Sequence, residues 1–231
     1  MRVSVLITKS CLARCLLLLS GLLLLSGCGS AAVDPAVRAL PERVELNGVP
    51  FFAQTAFESA PGALAIMLSQ QDVVTTPGLV AKKMHLPGKE QEMPASITRV
   101  TNDFGLLVYP LQGGLPDLLE QVAAGYPVLV RVNDGFGFVS SPRYAVLIGY
   151  DRVKQRVLLR SGMSHRLVVS FADFTSSWND LGHWALLVQA PAQLPVNVDR
   201  QRWMEAAKQL EHAGQTLAAS NAYKAIDGKS R

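Results

Sequence analysis

The sequence predicts an α+β domain, and three observations carry that prediction. Helical patterns dominate the first half of the chain and end near Gly125. After Gly135-Phe136-Gly137 the pattern turns to strands. Those strands are joined by hairpin-sized loops, which suit antiparallel neighbours. Helices first and an antiparallel sheet second place the chain in the α+β class.

The elements follow in order. Val44-Glu45-Leu46 is a short alternating strand, and Val49-Pro50-Phe51-Phe52 follows it. Ser59-Ala60-Pro61 opens an apolar helix over Ala63 to Leu68. Ser59 suits the N-cap there, and Pro61 is tolerated in a first turn. Thr75 to Lys83 and Pro94 to Phe104 are two further helices, the second stopped by Gly105. Leu106 to Tyr109 is a strand, Pro116 to Ala124 a helix closed by Gly125, and Pro127 to Val132 a strand. Tyr144 to Tyr150 is nearly all apolar, as a central strand should be. Asp151 to Gln155 makes a loop. Arg156 to Leu159 and Arg166 to Val169 are strands flanking Ser161-Gly162. Phe171 to Trp178 is a short helix and Trp184 to Val188 a last strand. Pro191 to Pro195 is a linker. Beyond it, Arg200 to Ala213 and Thr216 to Ala225 form a helical hairpin about Gly214. The spacing Ala207, Leu210, Gly214, Ala219, Tyr223 resembles one tetratricopeptide repeat. A single repeat cannot bury its own face, so the hairpin should dock on the main domain or on a partner.

The N-terminus is a targeting segment. Arg2, Lys9 and Arg14 precede a dense apolar run, Leu16 to Leu25, and no acidic residue comes before Asp34. These are the parts of a secretory signal. A run of about ten residues is too short to span a bilayer, which takes about twenty. Leu25-Ser26-Gly27-Cys28 resembles the bacterial lipobox, in which cleavage falls before the cysteine and the thiol is lipidated. Attaching more than one acyl chain, palmitate among them, anchors stably, because each buried CH₂ contributes roughly 0.8 kcal/mol. Gly29 rather than aspartate follows Cys28, which favours the periplasmic face of the outer membrane. The expected divisions are 1–27 signal peptide, 28–43 tether, 44–190 main domain and 191–231 linker and hairpin.

Charge and cysteine usage narrow the function. Losing Arg2, Lys9 and Arg14 lowers the formal charge from +4 to about +1. No basic cluster remains, which argues against nucleic acid. Cys11, Cys15 and Cys28 are the three cysteines, so a chain cut before Cys28 can form no internal disulfide. No pair among His85, His165, His183 and His212 has a metal-ligand spacing. No metal or other cofactor is expected.

Five segments together carry a family resemblance. They are Val49-Pro50-Phe51-Phe52 with Gln54, Ser59-Ala60-Pro61-Gly62-Ala63-Leu64, Gly125-Tyr126-Pro127-Val128-Leu129-Val130, Arg143-Tyr144-Ala145-Val146 with Gly149-Tyr150-Asp151, and Leu158-Leu159-Arg160-Ser161-Gly162. Residues from about Val44 to Pro195 resemble the bacteriocin-processing cysteine peptidases, family 39 of that class. More narrowly, they resemble a lipoprotein group joining this domain to tetratricopeptide helices. The resemblance implies a papain-like fold: a helix whose start carries the nucleophile, packed on a sheet that carries the base.

The same resemblance implies that the catalytic residues are lost. The family's Cys-Gly-Pro reads Ser59-Ala60-Pro61 here, its histidine before Tyr-Ala-Val is Arg143, and its orienting residue aligns loosely with Ser161. Gln54 matches the oxyanion donor. Serine needs a base to take its proton, and arginine with a pKa above about 12 cannot serve. The expectation is a pseudopeptidase that binds peptide or protein segments, with Arg143, Ser59 and Gln54 as binding candidates. The alternative is an active hydrolase using Ser59, for which His183 is the best substitute base. His165 is expected at the surface, and His85 and His212 on helical segments.

Overall fold

A computed structural model describes residues 34–55, 58–134 and 141–229. The described residues from Ala36 onward form one compact unit. The signal peptide, Cys28 and the start of the tether lie outside the described residues. Among the described residues no helix is long and apolar enough to cross a membrane.

The chain begins with α1 (Pro35–Ala39) and β1 (Arg43–Glu45). Helices α2 (Ser59–Ser69), α3 (Pro77–Lys83) and α4 (Met93–Asp103) follow, then β2 (Leu107–Pro110), α5 (Leu115–Ala123) and β3 (Val128–Asp134). Three strands run consecutively: β4 (Ser141–Asp151), β5 (Arg156–Ser161) and β6 (Ser164–Ser170). After α6 (Phe171–Asn179) and β7 (Ala185–Gln189), the chain ends in α7 (Arg200–His212) and α8 (Thr216–Lys229). The folded part thus starts earlier than the expected boundary at residue 44. Val37 is buried, and the Arg152 Nε donates to the Leu40 carbonyl at 2.8 Å.

The strands form one antiparallel sheet in the order β2-β7-β3-β4-β5-β6. β1 pairs with the far end of β4, where β3 has stopped. β4 is therefore flanked along its length on that side and by β5 from Val146 onward on the other, and Tyr144 to Tyr150 is buried throughout. This explains its unbroken apolar run: a strand covered on both faces does not alternate. Tyr144, Val146 and Ile148 join the core beneath α2. Ala145 and Leu147 are equally buried.

Helix α2 is the hub. SAPGALAIMLS has no charged residue, and every residue from Ser59 to Leu68 is buried. A helix apolar all round belongs in an interior. It packs on β3, β4 and β5 on one side and on α3 and α4 on others. Val80, Met84, Ile97 and Val100 supply those contacts to the common core.

The C-terminal helices dock on the sheet's β2 edge. Trp203 is fully buried, and its indole N–H donates to the Ala222 carbonyl at 2.8 Å, tying α7 to α8. The Tyr109 hydroxyl accepts from Asp199 N at 2.9 Å, and the Arg202 guanidinium lies over the Tyr109 ring. Arg202 also donates to the Pro110 carbonyl at 3.1 Å. The expected linker is pinned at its end, because the buried Gln121 amide bonds both main-chain groups of Val196 at 3.0 Å. The pair thereby covers an edge strand that would otherwise stand open to pairing. Edge β6 on the other side remains exposed from Ser164 to Val168.

Candidate functional site

The site gathers at the start of α2. Ser59 is the helix's first residue rather than its N-cap; Glu58 holds that position and makes no capping bond. The Ser59 hydroxyl is engaged with the sheet. Its Oγ accepts a hydrogen bond from Tyr144 N at 3.3 Å, on β4. The helix start is served instead by Gln54, whose side chain is buried. Oriented to satisfy both neighbours, the Gln54 amide donates to the Ser59 carbonyl at 3.1 Å and accepts from Ala63 N at 3.2 Å. One of its two N–H groups is thus committed to the helix. Gly62 makes this possible, since a Cβ there would lie 2.6 Å from the Gln54 Cδ.

The sheet brings the remaining residues alongside. Arg143 sits within β4, opposite Val132, because β4 begins at Ser141 rather than at Tyr144. One guanidinium nitrogen of Arg143 lies 2.9 Å from where a Cβ of Gly162 would be. Gly162 has φ +55° and turns the chain from β5 into β6 just after the buried Ser161. Gln54 N closes the ring by donating to the Gly162 carbonyl at 3.1 Å. Gln54, Ser59, Arg143 and Ser161 are therefore neighbours, joined through main-chain contacts.

A cleft of about 530 Å³ opens beside Ser59. Its walls are Glu58 and Ala60 of the α2 start, Leu86 and Pro87 after α3, Met93 of α4, and Pro142 and Tyr144 of β4. Of Gln54, Ser59, Arg143 and Ser161, only Ser59 is among the described lining. The Arg143 guanidinium packs toward Gly162.

Four residues to which the sequence reading assigned no site role belong to this region: Tyr144, Glu90, Arg131 and Arg160. Tyr144 is buried, and its ring packs edge-on against Trp184 at 5.3 Å. Burial, and then the nearby Glu90 carboxylate, push its phenol well above the ordinary range. Glu90 pairs with Arg131 at 3.0 Å, and Arg131 lies over the Tyr144 ring. Arg160 donates to the carbonyls of Val49 at 2.9 Å and of His165. It thereby clamps the segment that leads to Gln54. A charged residue directly after the apolar run Val157-Leu158-Leu159, within the same strand, was the available signal.

The histidines stand apart from this cleft. His183 lies after α6 with φ +57° and contacts Asn179 and the Trp178 ring. It lines a separate hollow of about 270 Å³ with Pro94, Trp184 and Leu186. His165 is exposed and meets the Phe51 ring. His85 does not lie on a helix; it follows α3 with φ +59°. His212 is in the last turn of α7. Among the described residues no three His, Cys, Asp or Glu side chains converge to hold a metal ion.

No family model matches the chain, and no curated protein does. Solved structures do match. A protein described as a C39-like peptidase from Bacillus anthracis superposes with a TM-score of 0.53 at 18% identity, over 64% of this chain and 98% of its own. The peptidase domain of Streptococcus ComA, a bifunctional ABC transporter of a quorum-sensing pathway, gives 0.49 at 15% identity, over 61% and 98%. The first likeness establishes a C39-peptidase-like fold, and this chain carries the α7–α8 pair at its C-terminus.

Proposed function

We propose that this chain is a lipid-anchored envelope protein whose peptidase-like domain binds a peptide or protein segment without cutting it. The observation that carries the reading is the state of the α2 start. There the fold presents Ser59, whose Oγ already accepts a main-chain N–H, and no histidine is among the described residues lining its cleft. A serine hydroxyl attacks only when a base withdraws its proton. Arg143 occupies the place where the resemblance implies the base, and a guanidinium stays charged. What survives is a cleft beside strand β4, of a volume that suits a bound segment. The anchor is assigned to Cys28 and the location to the periplasmic face of the outer membrane, both on the lipobox resemblance. The hairpin stays with the domain as a tetratricopeptide-like appendage.

A serine-directed fluorophosphonate probe separates this reading from the hydrolase alternative. The full chain should remain unlabelled, and Ser59→Ala should match it. Labelling that disappears in Ser59→Ala would establish an activated serine and overturn the non-cleaving reading. A library of fluorogenic peptides supplies the second readout, with no turnover expected.

A further inference from the structure

The cleft beside Ser59 has an uneven chemistry. Ala60, Leu86, Pro87 and Met93 make its walls apolar. Its charged lining among the described residues is Glu58 and Glu90, and no lysine, arginine or histidine lines it. The Glu58 carboxylate accepts from the Thr55 hydroxyl at 2.9 Å, a neutral partner. Glu90 is half exposed and held by Arg131 from behind. A carboxylate offers about four acceptor positions, so that ion pair leaves capacity for another donor.

Tyr144 adds an independent observation. It lines the same cleft, is 1% exposed, and its hydroxyl has no hydrogen-bond partner among the described residues. The Arg131 guanidinium that pairs with Glu90 also lies over the Tyr144 ring, so the phenol and the Glu90 carboxylate sit on the same side of the cleft. A buried hydroxyl without a partner is costly, and phenylalanine would fill the same space without that cost. The hydroxyl is explained if a bound group meets it.

On the peptide-binding reading above, we infer that the cleft selects a segment carrying a lysine or arginine side chain. Such a side chain has an apolar stem and a cationic head. The stem lies along Leu86, Pro87 and Met93. The head donates to the carboxylates of Glu58 and Glu90 and to the Tyr144 hydroxyl oxygen. Arg131 is a positioning residue: it holds Glu90 at the mouth and does not itself line the cleft. A segment with an acidic residue at this place would set its carboxylate against two others, and would be rejected.

The test uses the full chain and four fluorescein-labelled peptides, Ala-Leu-Xaa-Leu-Ala-Gly, with Xaa lysine, arginine, norleucine or glutamate. Fluorescence anisotropy reads each affinity. The lysine and arginine peptides should bind about tenfold or more tighter than norleucine, with glutamate weakest; tenfold corresponds to about 1.4 kcal/mol. Glu58→Gln should bring lysine to within about threefold of norleucine. Tyr144→Phe should weaken the lysine peptide and leave the norleucine peptide unchanged. Glu90→Gln, which strips Arg131 of its partner, should raise the affinity of the glutamate peptide. Equal binding of lysine and norleucine would overturn the cationic preference while leaving peptide binding in place. Failure of all four peptides to bind would remove the peptide-binding reading itself, and this inference with it.

Discussion

Replacing Arg160 with methionine tests how the site is built. Arg160 is 2% exposed and has no carboxylate within ion-pair distance among the described residues. Its guanidinium donates to the carbonyls of Val49 and His165, contacts the His165 ring nitrogen, and leaves Nε without a partner. Burial lowers its pKa from the ordinary arginine value, yet arginine stays charged at neutral pH. Methionine restores the stem's packing but removes both donors. The Val49 carbonyl belongs to a buried residue and is left unpaired, at a cost of about 1–3 kcal/mol. The carbonyl of exposed His165 can turn to water, so its loss is nearer the net value of one hydrogen bond, about 0.5–1.5 kcal/mol. Relief of the buried charge offsets part of this. The expected loss is therefore about 2–3 kcal/mol. In urea denaturation, a slope of about 2–3 kcal/mol/M turns that into a midpoint lower by about 1 M. Arg160→Lys, which can reach one carbonyl, should lose about half as much. A methionine variant whose midpoint falls by less than about 0.2 M would refute the clamp. Gln54 would then owe its position to its own contacts with α2 and Gly162.

Other outcomes follow from the same contacts. The Arg166 guanidinium, bonded to Glu45 at 2.7 Å, holds that carboxyl below its usual range. A depressed folded-state pKa gives stability that is complete at neutral pH and is lost as pH falls below about 4.5 toward the folded value. Glu45→Gln should therefore flatten part of the acid limb, seen as a smaller drop in urea midpoint between pH 7 and pH 3. Trp203→Ala should cost about 3–5 kcal/mol, since it empties the junction of α7, α8 and β2. Limited proteolysis should then cut first within 196–229; wild-type resistance there would show that Trp203 does not hold the pair. Cys28→Ala should move the protein from the membrane fraction to the soluble fraction, and unchanged fractionation would remove the lipid anchor.

The helices and strands were legible because their signals are local. Ala63 to Leu68 is unbroken apolar sequence, and it forms the enclosed α2. Gly105, Gly125, Gly162 and Gly214 stood at predicted stops and turns, and each has positive φ. Where the reading slipped, a long-range contact was responsible. Ser59 was expected to cap α2, but the amide of Tyr144, 85 positions away, binds its hydroxyl. Arg143 is a binding candidate from its place in the motif, and its nearness to the Gly162 turn is set by the sheet.

The sequence by itself determined the α+β class and the order of elements from β1 to α8. Those are properties of short windows, set by backbone preference, apolar periodicity and motif order. Only the tertiary structure decided which residues share a cleft. Tyr144, Glu58 and Glu90 come from β4, the turn before α2 and the turn before α4, and nothing in their local sequence links them. Packing of α2 against the sheet joins them, because burying that apolar helix closes separations of tens of residues at once.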